Sequence, residues 1–227
     1  MIPRAGSRLA ALPAGVVDVW RVVLTPPALP LPKLHAVLDA SEREHAERLG
    51  DAAAPWVAAH GALRMILAGY RGLAPEGLRF VTRATGKPAL ADAHGLEFSL
   101  THSDTLALVA VASDRAVGAD LERLREDVDI AAVTQEFLTA ADAAAIEFTP
   151  ADRRRAAFFA AWTRREARLK LHGQPLDSAV NEPPLPASGL VVTRALEVAP
   201  GFAAAIAAEG GSWTLRMRDF PESPGPR

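Results

Sequence analysis

One succession of hydrophobic patterns, run through twice, constrains this chain more than anything else in its sequence. Residues 15–24 are rich in β-branched side chains and partly alternate, which predicts a strand ending at Pro26-Pro27. Residues 33–49 and 55–70 carry helical spacing; Ser41 with Glu44 three positions on has the form of a capping box, and Pro55 suits a first helical turn. Short strands are expected at 78–82, 96–100 and 106–112, separated by the turn-forming Gly86-Lys87-Pro88 and His102-Ser103-Asp104. The same order then returns: a strand at 116–121, helical stretches at 129–148 and 151–172, and strands at 190–198, 202–208 and 213–217. An order of β-α-α-β-β-β in each half predicts an α+β fold of two pseudo-twofold related halves, 1–115 and 116–227, meeting near Asp114 to Ala116. The halves share element order and almost no sequence identity. A cleft between them is the expected place for a ligand.

Composition narrows the classes open to such a fold. At 227 residues, one large domain or two of about 110 are both possible. With 49% hydrophobic and 23% charged residues the chain can bury a core and lacks the signature of disorder. A formal charge of −2 excludes nucleic-acid binding through bulk positive charge. The absence of cysteine excludes disulfide frameworks, thiolate metal sites and cysteine nucleophiles, and fits a cytoplasmic setting. Residues 1–14, with Arg4 and Arg8, lack the apolar core of a secretory signal and read as a short lead-in; residues 221–227 read as a frayed Pro-rich tail. No stretch approaches the roughly 20 apolar residues of a membrane span.

Four groups of residues carry candidate chemistry. In Val117-Gly118-Ala119-Asp120-Leu121-Glu122, the two-residue period of a strand puts both carboxylates on one face. Such a pair repels unless a cation or proton lies between, and hard oxygen ligands suit Mg2+. Followed by Arg123 and Arg125, the same pair also describes an exposed, salt-bridged rim. In Trp162-Thr-Arg-Arg-Glu-Ala-Arg-Leu-Lys170, Glu166 and Lys170 are one helical turn apart, an ion ligand or base beside a phosphate-binding ammonium, or simply a solvated ion pair. Phe98-Ser-Leu-Thr-His-Ser103 predicts a strand running into a polar turn with His102 and Ser103 at its tip. No nucleophile elbow accompanies them, so His102 reads as a phosphate or nucleotide contact, or as a plain turn histidine. Thr85-Gly86-Lys87-Pro88 is not a Walker loop, and Lys87 is either a ligand contact or a solvated turn residue.

Together, in this order and spacing, Gly86-Lys87-Pro88, Phe98 to Ser103, Val117 to Glu122 and Trp162 to Lys170 resemble the 4'-phosphopantetheinyl transferase superfamily, specifically its larger, monomeric type serving peptide and polyketide synthetases. The resemblance covers residues 86–173. It implies two pseudo-twofold related α+β halves, and Asp120, Glu122 and Glu166 as ligands of Mg2+ beneath the pyrophosphate of coenzyme A. Glu166 is also implied as the base, Lys170 as the neutraliser of pyrophosphate oxygen, and His102, Ser103 and Lys87 as contacts to the phosphates and nucleotide. Arg43, Arg48 and Arg64 are available for the 3'-phosphate. The reaction implied moves phosphopantetheine from coenzyme A to a serine of an apo acyl or peptidyl carrier protein, releasing adenosine 3',5'-bisphosphate. Partners are then the carrier and coenzyme A, with no nucleic acid or membrane. Two departures from the family pattern are Arg165, where lysine is usual before the glutamate, and Ala119, where a branched residue is usual. The run Arg153-Arg154-Arg155 is a candidate carrier contact or solvated charge. Two other classes are weighed: a non-catalytic coenzyme A or carrier-protein binding module, and a metal-dependent phosphohydrolase.

Overall fold

The computed structural model describes Leu9, residues 11–174 and residues 189–221. Arg4, Arg8 and the tail beyond 221 lie outside the described residues. Helices and strands are both abundant, as an α+β reading requires. The first half runs β1 (Val16–Val23), α1 (Leu31–Ala36), α2 (Ala40–Leu49), α3 (Ala53–Arg71), β2 (Phe80–Thr82), β3 (Pro88–Leu90), β4 (Leu96–Ser103) and β5 (Leu106–Ser113). It continues with β6 (Val117–Arg123), α4 (Ile130–Phe137), α5 (Ala140–Glu147), α6 (Ala151–His172), β7 (Val191–Leu196), β8 (Phe202–Glu209) and β9 (Thr214–Phe220).

Two differences from the sequence reading have clear causes. The helix expected over 33–49 is broken between Ala36 and Ala40, because Asp39 takes extended backbone and forms the capping box with Glu42. Ser41 and Glu44 lie inside the helix instead, Ser41 donating to the Asp39 carboxylate. Strand β4 runs on through His102 and Ser103, paired with Ala107 and Leu106, and the turn falls at Asp104, whose φ is 51°.

The sheets explain where the core sits. Strands β4, β5, β1 and β9 form one sheet in that order, and β6, β8 and β7 form another. Alternation along β1 sends Trp20 and Val22 to α3, where Val57, Leu63 and Ile66 meet them, while Val17 and Val19 face the second sheet. There they join Leu108 and Ala110 against Ala119, Leu121 and Ile206. The far side of the second sheet is covered by α6 through Ala167 and Leu171 on Ala205 and Ala207. Such dry, interdigitated faces supply most of the stabilisation of a fold this size. The last strand, β9, pairs in parallel with β1, so Val16 sits opposite Thr214 and Val22 opposite Phe220. Buried Asp18 fastens the pair by accepting both Nε and Nη2 of Arg216, Nη1 of Arg218, and the hydroxyl of Tyr70. Among the described residues no helix is long and apolar enough to cross a membrane.

Candidate active site

The acidic strand β6 and helix α6 meet because one residue between them has no side chain. A Cβ at Gly118 would lie 2.1 Å from the Ala167 carbonyl oxygen and 2.3 Å from the Leu171 nitrogen, so only glycine lets the helix backbone lie on the strand. This contact lays the C-terminal turns of α6 on β6. Asp120 and Glu166 are there almost wholly buried, 3% and 2% exposed. The Lys170 ammonium donates to Asp120 Oδ1 at 2.5 Å, and the Arg165 guanidinium to Glu166 Oε1 at 2.6 Å. Asp120 Oδ2 and Glu166 Oε2 are buried with no hydrogen-bond partner.

Buried carboxylate oxygens without a donor are uncommon and costly. Desolvation, then the neighbouring Asp120 charge, raises the Glu166 carboxyl to about 7 against the pull of Arg165 and Lys170. Glu122 is raised in the same way, first by burial and then by Asp120. Glu122 and Glu166 therefore both feel the Asp120 charge, and the Lys170 ammonium opposes it at each. Among the described residues no three such side chains come together as a metal-holding group, and the Lys170 ammonium lies on Asp120. Two partnerless carboxylate oxygens are nonetheless the hard donor type that a divalent cation such as Mg2+ takes.

Hydroxyls of β4 flank this cluster. Thr101 Oγ1 donates to Asp120 Oδ1 at 3.3 Å and accepts from Lys170 at 3.2 Å; Ser103 Oγ donates to Glu122 Oε2 at 3.1 Å. Ser99, Thr101 and Ser103 escaped the sequence reading, except Ser103 as a ligand contact, although their two-residue spacing was a usable signal.

A cavity of about 700 Å³ opens beside Lys170. Its lining includes Leu63, Phe80, Phe98, Leu100 and His102 from the first half, and Gly173 and Gln174 after α6. Trp56 and His60, one turn apart on α3, stack on one wall with ring centroids 3.9 Å apart, a pair also absent from the sequence reading. Burial, and then the charge of His102, depress the His60 imidazole to about 4. His102, at the rim, is lowered by its surroundings and by Lys170.

Of the remaining candidate cations, Lys87 also lines the cavity, with Gly86. Lys87 is 7% exposed, and its ammonium donates to the carbonyls of Val117 at 2.7 Å and Leu171 at 3.2 Å. It thus ties the Gly86 turn to β6 and to the C-terminal end of α6, where a cation is favoured. Burial depresses it to about 8. Arg64 is fully buried, bound to Asp39, Glu42 and the carbonyls of Pro75 and Leu78, so the expectation that it meets a 3'-phosphate is corrected. Its setting in the apolar run Ala-Leu-Arg-Met-Ile-Leu was the missed signal. Arg43 donates to the Ala36 carbonyl and Arg48 pairs with Glu44 on the exposed surface of α2, and neither lines the cavity. Arg165 lies 5.6 Å from the rings of both Phe137 and Trp162. Of the three-arginine run, Arg154 and Arg155 donate to backbone carbonyls, and Arg153 stays by Asp152.

Comparison with known proteins gives the relationship. The family model described as the 4'-phosphopantetheinyl transferase superfamily matches residues 116–188, which hold β6 and α6. The 4'-phosphopantetheinyl transferase HetI of Nostoc sp. is 36% identical over 162 residues, 69% of this chain and 68% of that protein. The 4'-phosphopantetheinyl transferase psf-1 of Bacillus pumilus is 32% identical over 112 residues, 49% of this chain and 47% of that one. The 4'-phosphopantetheinyl transferase AcpT of Salmonella typhi is 35% identical over 89 residues, 39% and 46% of the two chains. With the HetI match extending over two thirds of both proteins, the chain belongs to the 4'-phosphopantetheinyl transferase superfamily and to that class of enzymes.

Proposed function

We propose that the protein transfers the 4'-phosphopantetheine group from coenzyme A to a serine of an apo acyl or peptidyl carrier protein, using Mg2+ and releasing adenosine 3',5'-bisphosphate. The single observation that carries the site assignment is the pair of buried, partnerless oxygens, Asp120 Oδ2 and Glu166 Oε2, beside the Lys170 ammonium. Asp120, Glu166 and, one strand period on, Glu122 are the residues that would hold the ion. When bound, Mg2+ supplies positive charge to the diphosphate as negative charge grows on the leaving group.

The chain's own side chains do the rest. Lys170 adds a second positive charge at the diphosphate, exchanging its Asp120 contact for a phosphate oxygen. Glu166 takes the proton of the attacking serine, whose hydroxyl is too weakly acidic to react unaided. His102, at the rim beside Lys170, meets the phosphates, and the apolar and aromatic cavity wall receives the remainder of the ligand. The buried ammonium of Lys87 acts by holding α6 against β6. We place the enzyme in the larger, monomeric, cytoplasmic type serving peptide and polyketide synthetases, with halves 1–115 and 116–227 on either side of the cavity.

Incubation with apo carrier protein, coenzyme A and Mg2+, followed by the intact mass of the carrier, tests this reading. A phosphopantetheine mass increment that vanishes with a chelator is the expected result. Free phosphate from coenzyme A with an unmodified carrier would instead indicate a phosphohydrolase, and binding without either product a non-catalytic module.

A further inference from the structure

Strands β4 and β6 belong to different sheets, yet they run side by side in the same direction. Side-chain hydroxyls span the seam. Ser99 Oγ accepts the Ala119 amide at 3.1 Å, and Ser103 Oγ accepts the Arg123 amide at 3.0 Å. The intermediate Thr101 Oγ1 accepts the Lys170 ammonium at 3.2 Å. A hydroxyl has one proton and two lone pairs, so a lone pair fixed by an N–H donor leaves the proton a restricted arc. In both Thr101 and Ser103 that proton points at a carboxylate of β6, Asp120 Oδ1 and Glu122 Oε2 respectively.

We propose that Thr101 and Ser103 are positioning residues which orient the carboxylates of Asp120 and Glu122 for the divalent ion; this rests on the metal-dependent reading above. Each hydroxyl engages one carboxylate oxygen, which sets the plane of the group and leaves its other oxygen to ligate, as Asp120 Oδ2 is left here. Thr101 is 5% exposed and does not line the cavity, so its hydroxyl is not presented to a ligand there. Its β-branched side chain also has few rotamers to lose, which suits a fixed donor. The assignment moves Ser103 from nucleotide contact to orienting group.

The test uses the full chain with coenzyme A and no carrier, titrated with Mn2+ while free Mn2+ is followed by electron paramagnetic resonance. Outer-sphere partners of metal ligands typically alter affinity by about 10–100-fold. Ser103→Ala and Thr101→Val should each weaken Mn2+ binding about tenfold, by the same reasoning. Ser103→Thr and Thr101→Ser, which keep the hydroxyl, should bind within about twofold of wild type, well inside that outer-sphere range. At saturating Mn2+ the KM for coenzyme A should stay near wild type in all four. Unchanged Mn2+ affinity in Ser103→Ala overturns the proposal, whatever happens to its melting temperature. A raised KM at saturating metal with unchanged Mn2+ affinity also overturns it, by making the hydroxyls direct ligand contacts. Should Thr101→Val fail to fold, the half-buried Ser103 site carries the test alone. Failure of wild type itself to bind Mn2+ would bring down the metal reading, and this proposal with it, before any substitution is compared.

Discussion

Two buried charge clusters, one in each half, are built on opposite principles. Around α3, the Arg64 guanidinium is enclosed by Asp39, Glu42 and two backbone carbonyls, so that each of its nitrogens has an acceptor. Around α6, Asp120 and Glu166 each keep a buried oxygen with no donor, and the Glu166 carboxyl is pushed up to about 7. A closed cluster of this kind fixes packing; an open one is retained at a cost in stability, the usual mark of a functional site. The difference teaches that burial of charge alone does not locate chemistry. What locates it is burial together with unfilled hydrogen-bonding capacity.

Substitutions can break this contrast directly. The largest effect expected is on turnover: Asp120→Ala should lower carrier modification by about 10³-fold or more while the protein stays folded, as for loss of a principal electrostatic group. Wild-type rates from that variant would remove Asp120 from the site. Arg64→Ala should do the reverse, lowering unfolding free energy in urea by about 3–5 kcal/mol because two carboxylates and two carbonyls lose their shared partner. Its folded fraction should retain activity, and a loss of rate without loss of stability would erase the distinction between the clusters. Gly118→Ala tests the contact that assembles the open cluster. A methyl group 2.1 Å from the Ala167 carbonyl must move α6, which predicts about 1–3 kcal/mol of destabilisation and a lower kcat together. A variant with normal kcat would mean that the helix need not lie on the strand.

The smallest effect concerns pH, and the two halves should differ in sign. His60 has a folded pKa of about 4 against an ordinary 6.5, so between those values the unfolded chain binds the proton and stability falls as pH falls. Glu166 has a folded pKa of about 7 against 4.5, so over that window the folded protein binds the proton and stability rises as pH falls. Each contribution is on the order of 2 kcal/mol after allowance for screening. In metal-free protein, urea midpoints from pH 7 to 4.5 should therefore shift upward on acidification in His60→Gln relative to wild type, and downward in Glu166→Gln. Equal slopes in the three proteins would discard the assigned burial of both groups.

Much of this was legible in the chain. Long periodic segments such as α3 and α6, and the β-branched run of β1, are legible because one pattern persists over many residues. Strand and helix periods pair Asp120 with Glu122 and Glu166 with Lys170, and the resemblance carried by all four motifs together joins the two pairs into one candidate site. What escaped depends on contacts distant in sequence. Asp39-x-x-Glu42 and Ser41-x-x-Glu44 both satisfy a capping-box pattern, and Arg64, more than twenty positions away, favours the first. Lys87 reads as a ligand contact or a solvated turn residue, and its bonds to the carbonyls of Val117 and Leu171 cannot be read from either. Strand β3 has three residues, too few for any period to register.

The parallel pairing of β9 with β1 also has a consequence for how the molecule is made. Ribosomal synthesis delivers β1 nearly two hundred residues before its neighbour, so the nascent first sheet waits with one flank open. Until Arg216 and Arg218 emerge, Asp18 lacks both of its cationic partners. A fragment ending before β9 should therefore be a poor independent folder and an aggregation hazard through its bare strand edge, whereas supplying the β9 residues 214–220 as a separate peptide should restore solubility.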